Sequence, residues 1–411
     1  MEGNMEVVYE RACGMDVHKK KIVACLITGQ RQSVTKTFGT LTGELQEMVE
    51  WLKTERCQMV AMESTGSYWK PLKNVFDLEG MEAIVANAHE VKNVPGRKTD
   101  VNDAQWLAKL LRHGLVNASY IPEKDQRDFR DLTRYRNSRL EERAREINRL
   151  QKMLEGANIK LGDMISDVTS KSATDLLKLV IKNEKPTIEQ IVKARNVHCK
   201  SSPEEFMAAL TGFISPLQRE LFSEVLLIIE EQTRQIERLD AMIEKYTKEE
   251  YAKAAAALDA IPGIGWVSAE QILAETGIDM SQFPSADHLC AWAGLSPGNN
   301  ESAGKRKSGK TRKGNKTLKK TMIQCAASAI NKKDSFFHAQ YQRLIARKGR
   351  NKAVVAVAHS MLIAVYHVLS GKEFHDLGAE YYTKFNKEKK IESHLKQLKK
   401  LGWEQPCPVA S

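Results

Sequence analysis

Along residues 11–38 apolar and polar positions alternate with a period near two. Met15 and Val17 flank Asp16, a basic turn follows at His18–Lys20, and IVACLI and a run near 32–38 continue the pattern. This predicts strands linked by tight turns. From 41 to 54 the period lengthens, and Leu41, Leu45, Met48, Val49 and Leu52 share one helical face. QMVAME (58–63) reads as a strand ending in a carboxylate, SYWKPLKNVFDLEG as a helix stopped by Gly80, and MEAIVAN as another strand. HEVKNVPGRKTDVNDAQWLAKLLRHG is irregular, then helical from about Asn102, closed by Gly114. The succession is that of an α/β unit.

Residues 126–257 predict a charged helical region. Leu140, Ala144, Ile147, Gln151 and Leu154 keep helical spacing, and Phe222, Val225, Ile229, Gln232, Ile236, Leu239, Ile243 and Tyr246 keep a three-four alternation with one polar member. That is a coiled-coil register. An intramolecular helix hairpin and self-association fit it equally. Residues 156–215 read as a smaller helical insert, 258–370 as a mainly helical third unit, and 371–411 as a charged tail. The expected domains are thus 8–125, 126–257, 258–370 and 371–411.

The 411 residues carry a net charge of +11 that is unevenly placed. Residues 303–355 hold 16 Lys and Arg against Asp334 alone, while residues 1–125 hold 16 against 17 acids. A polyanion gripped at one place is the expected partner. The seven cysteines form no CxxC pair, which argues against a zinc finger or a disulfide framework and suits a reducing cytosol. The opening residues lack the apolar core of a signal peptide. Residues 353–369 are apolar but interrupted by His359, Ser360 and His367, and read as a buried helix rather than a membrane span.

Two sets of residues carry candidate chemistry. A carboxylate at Asp16, mid-strand, is costly unless paired or metal-bound. Glu63 ends a strand, and Asp100 and Asp103 lie three apart at a helix start, on one face. Together the four suit a hard divalent cation, Mg²⁺ or Mn²⁺, and two such ions would clamp the oxygens of a phosphodiester. Singly, each reads as well as a turn residue, a helix cap or a strand end. In the third unit, LDAIPGIGWVSA has the pattern of a helix-hairpin-helix, with Gly263 and Gly265 allowing backbone to approach phosphate; an ordinary tight helix turn is the plainer reading. From Ala303 to Lys320 there are nine Lys and Arg and no acid. Lys305, Arg306, Lys307, Lys310, Arg312, Lys313 and Lys316 fit nucleic-acid backbone contact. Ser302 heads this run as a candidate nucleophile, in competition with Ser296 and Ser308.

At these residues the chain resembles the DEDD insertion-sequence transposases of the one-ten type, which act as bridge-RNA-guided serine recombinases. The resemblance covers about residues 11–120 and 258–370. It rests on MDVHKKKIVACLI, MESTGSYWKPL and NAHEVKNVPGRKTDVNDAQWLAKLLRHG, then on LDAIPGIGWVSAEQILAETG and FPSADHLCAWAGLSPGNNESAGKRKSGKTRKGNKTLKK. The three hairpin-linked leading strands agree with it, being an RNase H-like order rather than a Rossmann one. The resemblance implies a RuvC-like N-terminal domain whose four acids are Asp16, Glu63, Asp100 and Asp103. It also implies a C-terminal transposase domain whose serine, here Ser302 in Glu301-Ser302-Ala303-Gly304, forms a phosphoserine link to DNA. It further implies a magnesium site, donor and target DNA, a guide RNA, and a dimer or tetramer in which the acids of one protomer serve the serine of another. The setting would be the prokaryotic cytosol or nucleoid, with no membrane. Two rivals remain at this point: a RuvC-like structure-selective endonuclease using water, and a non-catalytic nucleic-acid-binding protein.

Overall fold

The computed structural model describes residues 6–29, 32–63, 66–86, 103–182, 186–194, 201–298, 300–302, 305–311, 313–384 and 387–402. The chain divides into two compact units, 1–124 and 125–411.

In the first unit, strands β1 (Ala12–Val17), β2 (Ile22–Ile27), β3 (Ser33–Phe38), β4 (Met59–Glu63) and β5 (Ala83–Ala86) form one sheet in the order β3-β2-β1-β4-β5. The three leading strands are antiparallel; β4 and β5 run parallel to β1. Period-two alternation sorts the side chains between the two faces. Cys13, Met15 and Val17 of β1 pack with α1 (Thr42–Thr54) and α2 (Trp69–Leu78), through Leu45, Met48, Leu52, Leu72 and Phe76. Ala12, Met59 and Ala61 take the opposite face, against Leu107 and Leu111 of α3 (Asp103–Arg112). Gly14 lets α3 approach: a Cβ there would stand 2.3 Å from both the Ala104 carbonyl oxygen and the Ala108 nitrogen. The expected strands, helices and connections of this unit are all present among its described residues. Gly114, predicted to end the last helix, has a φ of +67°, a conformation costly for residues with a Cβ.

The second unit is helical. Its frame is a pair of long helices, α4 (Lys124–Gly156) and, after a group of shorter ones, α9 (Pro216–Glu250). The shorter helices are α5 (Leu161–Met164), α6 (Lys171–Ile181), α7 (Ile188–Ala194) and α8 (Pro203–Ala209). The insert has its own core: Leu161, Leu176, Ile191 and Phe206 close over Leu150, Leu154, Phe222 and Ile229 of the long pair. On α9 the seam positions Phe222, Val225, Ile229, Ile236, Leu239 and Ile243 are buried within the chain. The facing stretch of α4 is polar. Arg136 Nε donates to Asp240 Oδ1 at 2.6 Å, and Arg143 Nε to Thr233 Oγ1 at 2.7 Å, so hydrogen bonds join the two long helices along this stretch.

Helices α10 (Ala252–Asp259), α11 (Trp266–Thr276), α12 (Ala286–Trp292), α13 (Lys316–Ala329), α14 (Phe336–Lys348) and α15 (Arg350–Leu369) follow, and the tail adds α16 (Tyr381–Lys384) and α17 (Lys387–Lys400). Phe129 of α4, Ile243 of α9 and Ala274 of α11 share one cluster, so the long pair and these helices are a single packed body. By length and composition α15 is apolar enough to cross a membrane. Ala353, Val357, Ala358, Met361, Leu362 and Val365 are instead buried, and α15 packs against α10, α12, α13 and α14 as the centre of the body.

Candidate active site

The sheet register brings two of the expected acids together. Pairing of β1 with β4 runs through Met15 opposite Met62, so Asp16 and Glu63 are the next residues of neighbouring parallel strands. Both fall on the face that carries Ala12, Gly14 and Ala61, the face packed by α3. Helix α3 lies with Ala104 and Ala108 at Gly14 and with Leu107 and Leu111 over Ala12, Met59 and Ala61. Its first residue, Asp103, therefore stands towards the strand ends that carry Asp16 and Glu63. Asp100, the fourth expected acid, lies outside the described residues.

Asp16 is only partly exposed, and its Oδ2 pairs with His18 Nε2 at 3.0 Å. The sequence reading placed His18 in a turn and did not connect it to the acid, although two residues of separation across a strand end bring such side chains within reach. The donors are hard oxygens and suit a divalent ion of the Mg²⁺ or Mn²⁺ kind. Among the described residues no three His, Cys, Asp or Glu side chains gather at ligand distance.

Ser302 belongs to the second unit. Strands β6 (Asn300–Ser302) and β7 (Lys305–Ser308) pair antiparallel, with Ser302 opposite Lys305. The ladder continues below them, since Gly298 N donates to the Lys310 carbonyl at 2.9 Å and Pro297 bridges Thr311. The described residues of 297–311 thus form a two-stranded arm, and Ser302 ends its outgoing strand. Ser296 precedes the arm and Ser308 lies on its returning strand. The cations expected to grip nucleic acid follow one another along the chain: Lys305, Arg306 and Lys307 on β7, Lys310 and Lys313 in the exposed return, and Lys316 as the first residue of α13. Arg312 lies outside the described residues.

The feet of the arm are fixed by a cluster the sequence did not announce. Asn315 N donates to the Trp292 carbonyl at 3.0 Å, and a Cβ on Gly314 would stand 2.5 Å from that same oxygen. Asn315 Nδ2 donates to Glu275 Oε2 at 2.6 Å, while Arg134 grips the carboxylate with Nε at 2.7 Å and Nη2 at 2.8 Å. Arg130 Nη2 donates to the Glu275 carbonyl at 2.6 Å. A groove of about 530 Å³ opens beside these groups, lined by Arg134, Asn137, Ser138, Gly314, Asn315 and Lys316.

Between α10 and α11 the turn at 260–265 uses its glycines differently. Gly263 has a φ of +86°, and a Cβ there would stand 2.5 Å from the Cys325 carbonyl oxygen of α13. Its close approach is to the protein itself. Gly265 is exposed, heads α11, and has open space where a Cβ would stand.

Comparison with known families places the chain among the proteins of DNA transposition. Residues 13–159 match the family model for the DEDD transposases of insertion sequence IS110, and residues 255–342 match the transposase family of IS116, IS110 and IS902. The chain belongs to the IS110 family of transposases. Among curated proteins, it is 24% identical over 306 residues to the transposase for insertion sequence element IS1111A of Coxiella burnetii, covering 72% of this chain and 73% of that one. It is 29% identical over 155 residues to an insertion element IS110 protein of Streptomyces coelicolor, covering 37% and 36%. Membership implies an enzyme that binds, cuts and rejoins DNA and uses a divalent metal.

Proposed function

We propose that this transposase cuts and rejoins DNA through a phosphoserine at Ser302, assisted by Asp16, Glu63, Asp100 and Asp103. The observation that carries the reading is the place of Ser302: the last residue of a strand, on a cation-rich arm, above a pinned base. The serine hydroxyl gives up its proton and bonds to phosphorus. The phosphorus–oxygen bond to the neighbouring nucleotide breaks, and the released oxygen takes a proton. The phosphoester keeps the strand attached and conserves bond energy, so no ATP is consumed. A DNA hydroxyl then attacks the same phosphorus and frees Ser302.

The sheet order β3-β2-β1-β4-β5, with two acids at adjacent parallel strand ends, supports a ribonuclease H-like, RuvC-like role for the first unit. Asp16, Glu63, Asp100 and Asp103 would hold Mg²⁺ or Mn²⁺, which polarises the phosphate and neutralises developing charge. His18 Nε2 lies 3.0 Å from Asp16 Oδ2 and orients that carboxylate at the strand end. The cations from Lys305 to Lys316 hold nucleic-acid backbone, and the turn at Gly265 has the form of a helix-hairpin-helix contact. A guide RNA supplies target choice by base pairing. The active protein is a dimer or tetramer in which acids and serine come from different protomers. Because the coiled-coil seam of α9 is buried within the chain, the surface available for association is its outer face, where Leu221, Ile228 and Met242 stand in heptad spacing about half exposed.

The test is a covalent adduct on DNA bearing an end of the element. Ser302→Ala abolishes the adduct and strand joining if the reading holds. Cleavage that persists in Ser302→Ala without an adduct points instead to the water-using endonuclease. Asp16→Asn lowers the rate by a hundredfold or more, as loss of a metal ligand does; an unchanged rate leaves the acids structural.

A further inference from the structure

We propose that Glu275 is a positioning residue: the buried cluster it forms with Arg134, Arg130 and Asn315 holds the feet of the 297–311 arm at a fixed attitude and so sets where Ser302 is presented. The consequence for catalysis rests on the reading of Ser302 given above; the consequence for the arm does not.

Glu275 sits in the last turn of α11 with its side chain 1% exposed. An anion is disfavoured there, next to the negative end of the helix dipole and its unpaired carbonyls. Burying a charge in such a place seldom stabilises a fold more than apolar packing would. What the cluster supplies is direction. Oε1 accepts from Arg134 Nε, and Oε2 accepts from Arg134 Nη2 and from Asn315 Nδ2. Arg130 closes the end of the helix through the carbonyls of Ala274 and Glu275. Asn315 is oriented from its other side as well, since its Oδ1 accepts from Thr317 N and Leu318 N at the start of α13.

Both feet of the arm end in this cluster. The outgoing foot leaves from Trp292 to Gly294, and the returning foot arrives at Gly314 and Asn315 against the same backbone. Arg130 also lies over the Trp292 ring, 5.9 Å from its centroid. Three helices distant in sequence, α4, α11 and α13, thus meet at one carboxylate directly beneath the arm. A rigid base with a slender projection is what a nucleophile needs if it must be aimed without being enclosed. A misplacement of about 1 Å at a reacting atom costs roughly a hundredfold in rate.

The experiment uses the full chain and compares Glu275→Gln with the parent by amide hydrogen exchange, by binding to duplex DNA bearing an end of the element, and by the rate of adduct formation at saturating DNA. Exchange at the arm amides, 300–302 and 305–311, is expected to quicken at least tenfold while that along α11 stays within twofold. DNA affinity stays within threefold and the adduct rate falls about a hundredfold. Arm exchange that does not change overturns the inference, whatever the rate does. Loss of protection throughout α11 and α13 overturns it too, since Glu275 then acts on stability alone. Arg134→Met, at a half-exposed partner, is judged by the same criteria if Glu275→Gln fails to fold. Ser302→Ala separates the two readings: a persisting adduct removes Ser302 as nucleophile, and the arm exchange of Glu275→Gln still judges the positioning role.

Discussion

Single residues here are constrained by backbone contact more than by side-chain chemistry, and Gly14 is the clearest case. Any side chain at that position meets the main chain of α3, which cannot yield without moving Asp103 away from the strand ends. Gly14→Ala is expected to cost about 3 kcal/mol, read as a shift in the urea midpoint, and to lower DNA cleavage disproportionately. Glu270 offers a second residue-level test. It is buried on α11, and burial pushes its carboxyl up to about 7, Trp266 and Arg136 pull the other way, and Glu244 and Asp240 add to the rise. Its folded value lies above the ordinary 4.5, so the folded state holds the proton longer than the unfolded one. The stability this gives is complete below about pH 4.5 and is lost as pH rises through about 7. Glu270→Gln should remove that slope. The gap between variant and parent should widen by on the order of 2 kcal/mol from pH 5 to 8 in denaturant titrations; parallel curves would refute the assignment. Asp16 was legible in the sequence because a charge between apolar strand residues demands a partner. Glu275 was not, because AEQILAETG reads as an ordinary helix end until Arg134, 141 positions upstream, is known to pack against it.

At the scale of elements, periodicity carried most of the information. The spacing from Phe222 to Tyr246 gave both the helix and its buried stripe, since α9 buries Phe222, Val225, Ile229, Ile236, Leu239 and Ile243. It did not identify what covers the stripe. The spacing of Leu140, Ala144, Ile147, Gln151 and Leu154 marked a helix upstream, but a hairpin within the chain and self-association fitted that period equally. Ile236→Ala should cost about 2–4 kcal/mol in the isolated chain, visible as a lowered melting temperature independent of protein concentration. A concentration-dependent loss would instead place that stripe between chains. The sequence shows the 297–311 arm only as part of a basic run headed by Ser302. Its strands are short, carry Lys and Arg where β-branched residues are usual, and depend on a base formed by distant helices, so local propensity does not reveal them.

For the whole molecule the governing quantity is where charge is concentrated. Of a net +11, residues 303–355 supply +15, and they include the arm, α13, α14 and the start of α15. Binding to DNA should therefore weaken steeply with salt, and each Lys→Gln change from Lys305 to Lys316 should reduce the slope of log affinity against log salt by about one. A slope untouched by three such changes would move the contact surface elsewhere. The division of labour was visible in the sequence as two blocks of motif separated by a charged helical stretch. The sequence did not reveal that this stretch packs into one body with the second block, because that depends on the cluster of Phe129, Ile243 and Ala274. The arm itself has a geometric corollary. Ser302 is five steps along the chain from Pro297, and an extended strand advances about 3.3 Å per residue, so the hydroxyl-bearing residue can stand up to roughly 17 Å beyond its footing. A lever of that length turns a tilt of a few degrees at the base into about an ångström at the tip, so the hinge, more than the tip, governs aim.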